Sequence, residues 1–221
     1  RNQFASYGLT EDILETLRLL KYETPTPIQD RVIPLVLAGK DVIAKSQTGT
    51  GKTAAFAIPI CQAVLWEENL PQALVLEPTR ELAVQVREEL FHVGRKKRLK
   101  VPAVFGGFPI DKQILTLKQK SHIVVGTPGR VMDHIRRESL RTERIRCLVI
   151  DEADLMLDMG FMEDVKQIME SIPGKPQILL FSATIGERVK QLSDAYLPEA
   201  VFVEMESETE TAQGIEQAVY N

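Results

Sequence analysis

The segment from residue 42 to residue 53, together with the helical run that follows it, carries the pattern that most restricts the fold. A short apolar run, 42–44, is followed by a glycine-containing turn and then by an apolar helical stretch. The turn reads Ser46-Gln47-Thr48-Gly49-Thr50-Gly51-Lys52-Thr53. Glycines at such a turn let the backbone wrap closely around an anion and present its N–H groups. The segment therefore predicts a strand–turn–helix unit that binds a chain of phosphates.

Two side chains of this turn have predicted roles of their own. Lys52 can reach the β- and γ-phosphates of a nucleotide, and the hydroxyl of Thr53 can bind Mg²⁺. Ser46 stands where the usual pattern G-x-x-x-x-G-K-[ST] begins with glycine, so one position departs from it. All eight residues, 46–53, are candidate nucleotide-binding residues.

Seven short apolar runs recur along the chain, with helical stretches between them. They are apolar throughout rather than alternating, which is typical of parallel strands buried on both faces. The runs are 42–44, 73–76, 101–105, 123–125, 147–150, 178–181 and 201–203. Amphipathic helices are predicted over 80–94, with Leu82, Val86, Leu90 and Val93 on one face, and over 161–169. The pattern predicts an α/β fold: a mostly parallel central sheet of about seven strands with helices on both faces.

A length of 221 residues suits one large α/β domain. We predict a helical preface in residues 1–40, a nucleotide-binding domain in 41–205 and the start of a linker in 206–221. The preface contains two predicted helices, about 10–20 and 27–38, and Thr10, followed by the acidic residues Glu11 and Asp12, is the predicted N-cap of the first.

Composition excludes several classes of protein. No apolar run approaches the ~20 residues that span a bilayer, so no membrane association is expected. Two widely separated cysteines, Cys61 and Cys147, favour a reduced, cytoplasmic protein. A net charge of −4 argues against bulk electrostatic binding of nucleic acid, but not against a site built from backbone amides and a few arginines.

A pair of carboxylates completes the predicted nucleotide site. The run 147–150 is followed directly by Asp151 and Glu152. Asp151 is placed to hold Mg²⁺, directly or through water, and Glu152 to orient and deprotonate an attacking water. Lys52, Asp151 and Glu152 are therefore the candidate catalytic residues. The chain contains neither Asn-Lys-x-Asp nor Leu-Ser-Gly-Gly-Gln, which disfavours a GTPase and an ABC-type ATPase.

Several motifs of the sequence resemble those of a known family. Asp151-Glu152-Ala153-Asp154 is similar to the motif that names the DEAD-box RNA helicases, and further motifs follow in the order of that family. They are Pro25-Thr26-Pro27-Ile28-Gln29, Pro78-Thr79-Arg80-Glu81-Leu82, Gly106-Gly107, Thr127-Pro128-Gly129-Arg130 and Ser182-Ala183-Thr184. The resemblance implies a RecA-like domain that binds ATP and Mg²⁺. Residues 121–130 also resemble the bacterial DbpA-like branch.

The resemblance implies an adenine site in the preface. Gln29 can offer its amide to the donor and acceptor on the edge of adenine, worth ~1–3 kcal/mol against the wrong base. Tyr22 stands where the family has an aromatic ring stacking on adenine, although Lys21 replaces the usual preceding glycine. Phe4 resembles the upstream aromatic that backs this pocket. Ordinary helix packing is the alternative for both rings.

The family also implies a path for RNA. The candidate RNA-binding residues are Pro78, Thr79, Arg80, Gly106, Gly107, Thr127, Pro128, Gly129 and Arg130. Hydroxyls, close backbone approach and arginines suit a sugar–phosphate backbone with little reading of bases. Glu77 lies next to this path, where it either faces away or pairs with an arginine. For the basic run 95–98 the favoured interpretation is a solvated helix end, and the second is an auxiliary contact with RNA.

Three further residues are expected to couple the two sites. Ser182 and Thr184 can hydrogen-bond the carboxylate of Asp154, a contact that the family uses to link nucleotide state to unwinding. Their alternative role is to cap the next helix.

The implied activity is RNA-dependent ATP hydrolysis coupled to local unwinding or remodelling of RNA duplexes. The DbpA-like resemblance points to ribosomal RNA and ribosome biogenesis. An ATP-dependent RNA clamp without significant unwinding is the alternative, and a DNA translocase is disfavoured by the motifs around Gln29 and Asp151. The second RecA-like domain, which is absent from these 221 residues, would bring arginines worth 10³–10⁵ in rate. We therefore expect the chain alone to bind adenine nucleotide weakly, to hydrolyse it poorly and not to unwind RNA.

Overall fold

The computed structural model describes residues 2–47, 49 and 51–205. Within them the chain forms a seven-stranded sheet whose pairings are all parallel. The strands are β1 (Val42–Lys45), β2 (Ala73–Leu76), β3 (Ala103–Val104), β4 (Ile123–Gly126), β5 (Cys147–Ile150), β6 (Gln177–Ser182) and β7 (Val201–Glu204). Their order in the sheet is β3-β4-β2-β5-β6-β1-β7. The predicted α/β class and strand number are confirmed. The linker expected in 206–221 lies outside the described residues.

Nine α-helices lie before and between these strands in the described part of the chain. They are α1 (Glu11–Leu19), α2 (Pro27–Leu37), α3 (Lys52–Ala63), α4 (Arg80–Val93), α5 (Ile110–Lys118), α6 (Pro128–Arg136), α7 (Ala153–Asp158), α8 (Met162–Ser171) and α9 (Glu187–Tyr196). Two short 3₁₀ helices, Gln3–Tyr7 and Arg95–Lys97, precede α1 and follow α4.

The strands are apolar throughout because helices cover both faces of the sheet. Every residue of β2, β4 and β5 is buried. Successive side chains of a strand point to opposite faces. Val75 accordingly joins one core cluster, with residues of α1–α4, and Leu74 joins another, with residues of α6–α9. The predicted preface is thus part of the domain core rather than an appendage.

Three local predictions differ from the structure. β3 has two residues instead of five, since Pro102 has no N–H to donate to a ladder. Leu82 is only partly buried, and Ala83 takes its place on the core face of α4. Thr10 precedes α1 as predicted, but its hydroxyl does not cap the helix; it contacts Asp12 and Gln62 instead.

Lys97, in the basic run after α4, has neither of the two predicted roles. Its Nζ donates to the carbonyls of Cys61 (2.7 Å), Gln62 (3.1 Å) and Val64 (2.7 Å), at the end of α3. The last carbonyls of a helix have no partner within it. Burial lowers the pKa of Lys97. Lys97 therefore caps the helix that begins at the glycine-containing turn.

Replacing Lys97 by methionine should lower the free energy of unfolding by about 2 kcal/mol, because hydrogen bonds to a charged group contribute ~1.5–3 kcal/mol. Urea unfolding at neutral pH measures the loss. Lys96→Met is the matched control: Nζ of Lys96 lies 3.6 Å from Glu15 on the surface, and such exposed pairs contribute at most ~1 kcal/mol. Equal losses in the two variants would contradict the capping role.

Candidate functional site

Lys52 lies between two carboxylates at the carboxyl edge of the sheet. Its Nζ is 2.7 Å from Oδ1 of Asp151 and 2.7 Å from Oε1 of Glu152. β5 ends at Ile150 and α3 begins at Lys52, so the parallel arrangement brings a strand end and a helix start together. The structure thus joins the three residues that the sequence predicts to be catalytic.

Burial makes this cluster an electrostatically coupled unit. All three side chains are less than about one-tenth exposed. Burial by itself would lower the pKa of Lys52, but the charges and hydrogen bonds of Asp151 and Glu152 outweigh it, and the pKa is raised. Glu152 also has a left-handed backbone (φ +52°), which is uncommon outside glycine. A non-glycine residue held in this region is typical of functional sites.

Gln29 connects the preface to the glycine-containing turn. Thr26 and Gln29 form a capping box at the start of α2: the N–H of Gln29 donates to Thr26 Oγ1 (3.4 Å), and the N–H of Thr26 donates to Gln29 Oε1 (3.0 Å). Nε2 of Gln29 donates to the carbonyl of Gly51 (3.1 Å). A Cβ at Gly51 would lie 2.7 Å from that Nε2, so the turn requires glycine here.

A cleft of about 290 Å³ opens beside the turn. One side is formed by Lys52, Thr53, Asp151 and Glu152 together with Gly49 and Gly51. The other side is formed by α4, through a stripe that the sequence analysis missed: Leu82, Gln85, Val86 and Glu89. The sequence pattern places Leu82 and Val86 on the core face of α4 and gives Gln85 and Glu89 no role, because the orientation of this helix does not follow from periodicity alone.

The two predicted adenine-site aromatics occupy different environments. Tyr22 is partly buried, and its hydroxyl donates to Oε1 of Glu89 (3.2 Å). Burial and the Glu89 charge raise the pKa of Tyr22 to about 12, while burial raises that of Glu89. Phe4 is fully buried, with the ring of Tyr7 edge-on at 6.0 Å. Phe4 therefore has the packing role in this structure, and Tyr22 lies near the cleft through Glu89.

The remaining residues of the turn are only partly described. Ser46 is buried, and its N–H donates to the carbonyl of Ser182 (3.0 Å), which ties the turn to β6. Gln47 is exposed. Thr48 and Thr50 lie outside the described residues.

Asp154 is bonded to the end of β6, although not entirely as predicted. Oδ2 of Asp154 accepts from the N–H (3.1 Å) and the hydroxyl (2.9 Å) of Thr184. Ser182 does not reach the carboxylate: its Oγ accepts from the backbone N–H of Asp154 (3.1 Å) and donates to the carbonyl of Thr184 (2.6 Å). Neither hydroxyl caps α9, whose N-cap is Gly186. The loop after β6 and the start of α7 are thus joined through three hydrogen bonds.

The predicted RNA residues follow the carboxyl ends of β2, β3 and β4, which are neighbours in the sheet. Thr79 caps α4 through Oγ1, which leaves its hydroxyl proton free to donate. Gly107 has φ +81°, and space is open around it and Gly106. Thr127 and Gly129 are partly buried at the start of α6, whereas Pro78 and Pro128 are buried and offer little surface.

The two arginines of this set are held by neighbouring residues. Arg80 is exposed, with its guanidinium 5.0 Å from the centre of the Phe105 ring. Nη1 of Arg130 donates to the carbonyl of Phe108 (2.7 Å) and to Oε1 of Gln113 (3.0 Å). Arg130 therefore supports the loop that contains Gly106 and Gly107, a role that the sequence did not indicate.

The geometry agrees with a match to a family model. The DEAD/DEAH box helicase model matches residues 26–192, which is more than half of the chain. This chain belongs to the DEAD/DEAH box helicase family. The resemblance stated from the motifs is thereby confirmed.

Named relatives of this family member are bacterial helicases. The chain is 50% identical over 218 residues to the ATP-dependent RNA helicase DbpA of Bacillus subtilis, covering 99% of this chain and 46% of the relative. It is 45% identical over 214 residues to the DEAD-box ATP-dependent RNA helicase CshA of Geobacillus kaustophilus, covering 97% and 46%. The chain spans slightly less than half the length of these relatives.

Solved structures confirm the RecA-like fold. A DEAD box protein from Methanococcus jannaschii superposes with a TM-score of 0.86 at 41% identity, over 90% of this chain and 54% of that one. S. cerevisiae Dbp5 bound to Gle1 and IP6 superposes with a TM-score of 0.85 at 34% identity, over 94% and 53%.

The motifs of this family member do not predict the environment of Glu77. It follows β2, and its N–H donates to the carbonyl of Gly126 (2.9 Å). The side chain is fully buried, neither carboxyl oxygen accepts a hydrogen bond from a described residue, and the polar neighbour within reach is another carboxyl group, that of Asp151. Burial first, and then the charge of Asp151, raise its pKa well above the ordinary value, against the opposing effect of Lys52. The predicted alternative of pairing with an arginine is wrong: the carboxyl faces the nucleotide-side cluster.

Residues 2–47, 49 and 51–205 contain no site of two further kinds. No group of three or more His, Cys, Asp or Glu side chains there has the arrangement of a metal site. No helix there is long and apolar enough to cross a membrane. Cys61 and Cys147 are buried free thiols.

Proposed function

We propose that this chain is the ATP-binding domain of an RNA-dependent ATPase, and that the whole protein uses ATP to separate or remodel short RNA duplexes. The contact of Lys52 with Asp151 and Glu152 at a strand end is the observation that carries the ATPase assignment. The relatives named as ATP-dependent RNA helicases support the RNA assignment.

The proposed mechanism begins with a change of partner for Lys52. Phosphates of ATP, which enter beside the turn, replace the two carboxylates as its counter-ions. Asp151, directly or through water, and the hydroxyl of Thr53 are hard oxygen donors that suit Mg²⁺, which neutralises phosphate charge when bound. Once Lys52 has changed partners, the carboxylate of Glu152 is the base proposed to accept the proton of the attacking water.

Adenine selectivity is assigned to the unused capacity of the Gln29 amide. A glutamine amide has two N–H donors and two acceptor lone pairs. Thr26 uses one lone pair and Gly51 uses one N–H, so one of each is left. Adenine presents one acceptor, N7, beside one donor, the N6 amino group, and this pair matches what Gln29 retains. Guanine presents two acceptors there and leaves the Gln29 lone pair without a donor.

Replacing Gln29 by alanine should weaken ADP binding by roughly 5- to 150-fold and leave GDP binding nearly unchanged, since a bidentate contact to the right base is worth ~1–3 kcal/mol. Titration of the chain with ADP, ATP and GDP in Mg²⁺ measures this. Thr26→Val is the matched control, because it removes the other half of the capping box and keeps the amide. If both variants lose ADP and GDP binding equally, Gln29 acts through the fold and not through the base.

RNA is proposed to lie along the carboxyl ends of β2, β3 and β4. Arg80 and the open Gly106–Gly107 loop are there, next to the nucleotide site at β5, β6 and β1. A second RecA-like domain would close over both sites, and Asp154 with Thr184 would relay its position. The cytoplasmic location and the ribosomal RNA substrate stay predictions.

A further inference from the structure

Phe108 is a large apolar side chain that the structure leaves on the surface beside the proposed RNA path. It follows Gly106 and Gly107 directly, and its side chain is 40% exposed. None of the roles assigned above uses this ring. An exposed aromatic next to an open glycine loop has room for a flat ligand on the solvent side of the ring.

The ring is held in place by a network rather than carried on a loose loop. The ring of Phe105 stands edge-on to it at 6.0 Å, with 69° between the planes. Arg130 binds the carbonyl of Phe108, and Nε2 of Gln113 donates to the carbonyl of Phe105 (3.0 Å). Gln113 is buried, and its Oε1 lies 2.9 Å from Nε2 of His134. Such pre-ordering reduces the entropy that a binding partner must overcome.

Cations flank the two rings. Arg80 lies over Phe105, and Nζ of Lys112 is 6.0 Å from the centre of the Phe108 ring. Sites for single-stranded nucleic acid combine these same parts, with cations along the backbone and aromatic rings under the bases. The sugar–phosphate contacts proposed for Gly106, Gly107 and Arg80 leave the bases without a partner, and Phe108 is the adjacent aromatic surface.

We propose that Phe108 is a stacking subsite for one nucleobase of single-stranded RNA. The inference rests on the RNA path of the proposed function and adds a base contact to it. Stacking is tolerant of sequence because every base has a π-face, and loss of one stack weakens binding by roughly 5- to 150-fold. The subsite would strengthen binding without selecting a sequence.

The test is an NMR titration of the chain, which detects weak binding. The probes are an oligouridylate of about ten nucleotides and an abasic ribose-phosphate strand of the same length. Both should shift the amide signals of Gly106 and Gly107, whereas only the oligouridylate should move the ring signals of Phe108 upfield. Phe108→Leu keeps an apolar side chain but removes the π-face, and should make the affinities for the two strands equal.

Phe91 provides a matched control. It is 39% exposed and has Arg87 at 5.3 Å from its ring centre, but it lies in the last turn of α4, away from the carboxyl edge of the sheet. Phe91→Leu should leave the preference for base-containing RNA unchanged. Equal ring shifts with the abasic strand, or an unchanged preference in Phe108→Leu, would overturn the subsite while leaving the RNA path intact. No shift of Gly106 or Gly107 with either strand would refute the RNA path itself, and the subsite with it.

Discussion

Replacing Lys52 by methionine should lower the free energy of unfolding by roughly 3–5 kcal/mol and abolish nucleotide binding. The first effect follows from burial: Asp151 and Glu152 are nearly inaccessible, and Lys52 is the cation that both contact. Removing one partner of a buried ion pair leaves uncompensated charge, which costs about 3–5 kcal/mol. The second effect follows from the loss of the cation proposed to meet the phosphates. The lysine is therefore expected to stabilise the domain before it serves the substrate.

Urea unfolding in the absence of nucleotide measures the loss of stability separately from the loss of nucleotide binding. Lys45→Met is the matched control, because Nζ of Lys45 lies 3.2 Å from Glu204 with both side chains largely exposed, and such pairs contribute ~0–1 kcal/mol. The double variant Lys52→Met/Asp151→Asn should lose less stability than the sum of its single variants, since Lys52 and Asp151 are partners of one another and each single variant removes the same contact. A stability loss for Lys52→Met no larger than that of Lys45→Met would refute the structural role.

The fold was largely predictable because its determinants are local. Short apolar runs indicate strands that are buried on both faces, and the glycine-containing turn before Lys52 indicates a strand followed by a helix. The strand order in the sheet was not predictable, because the pairing of β1 with β6 and β7 joins segments more than one hundred residues apart. Motifs predict the residues of the proposed nucleotide site, and the sheet order explains why the loops of the proposed RNA path lie next to it.

The contacts that the sequence did not predict are mostly contacts between residues far apart in the chain. Thr26-x-x-Gln29 is a capping-box spacing that could have been recognised from the sequence. The contacts of Lys97 with α3 and of Arg130 with Phe108 could not, since a long cation reaches partners far along the chain. Motifs tell which side chain is present, whereas its partner depends on tertiary packing.

Replacing Glu77 by glutamine should make the domain more stable at neutral and alkaline pH. The sequence shows that a carboxyl group is present at this position, but its effect on stability depends on the neighbours that tertiary packing gives it. Burial and the neighbouring Asp151 raise the pKa of Glu77 in the folded state well above its value in the unfolded chain, ~4.3. The folded state therefore binds this proton more tightly. Its contribution to stability is complete below the unfolded pKa and declines as pH rises towards the folded pKa, by about 1.4 kcal/mol for each pH unit between the two values. Glutamine keeps the shape without titrating.

Unfolding free energies of both proteins should therefore diverge as pH rises from about 5 to 8, with the Glu77→Gln variant above the parent at the upper end. Glu199→Gln, at an exposed position, controls for the loss of one carboxyl group. Parallel profiles for the parent and Glu77→Gln, or a less stable variant at high pH, would mean that Lys52 compensates the Glu77 charge in the fold. Divergence would mean instead that Lys52 is already paired with Asp151 and Glu152 and does not compensate a third negative charge. Glu77 would then be present in the folded state only as the neutral acid.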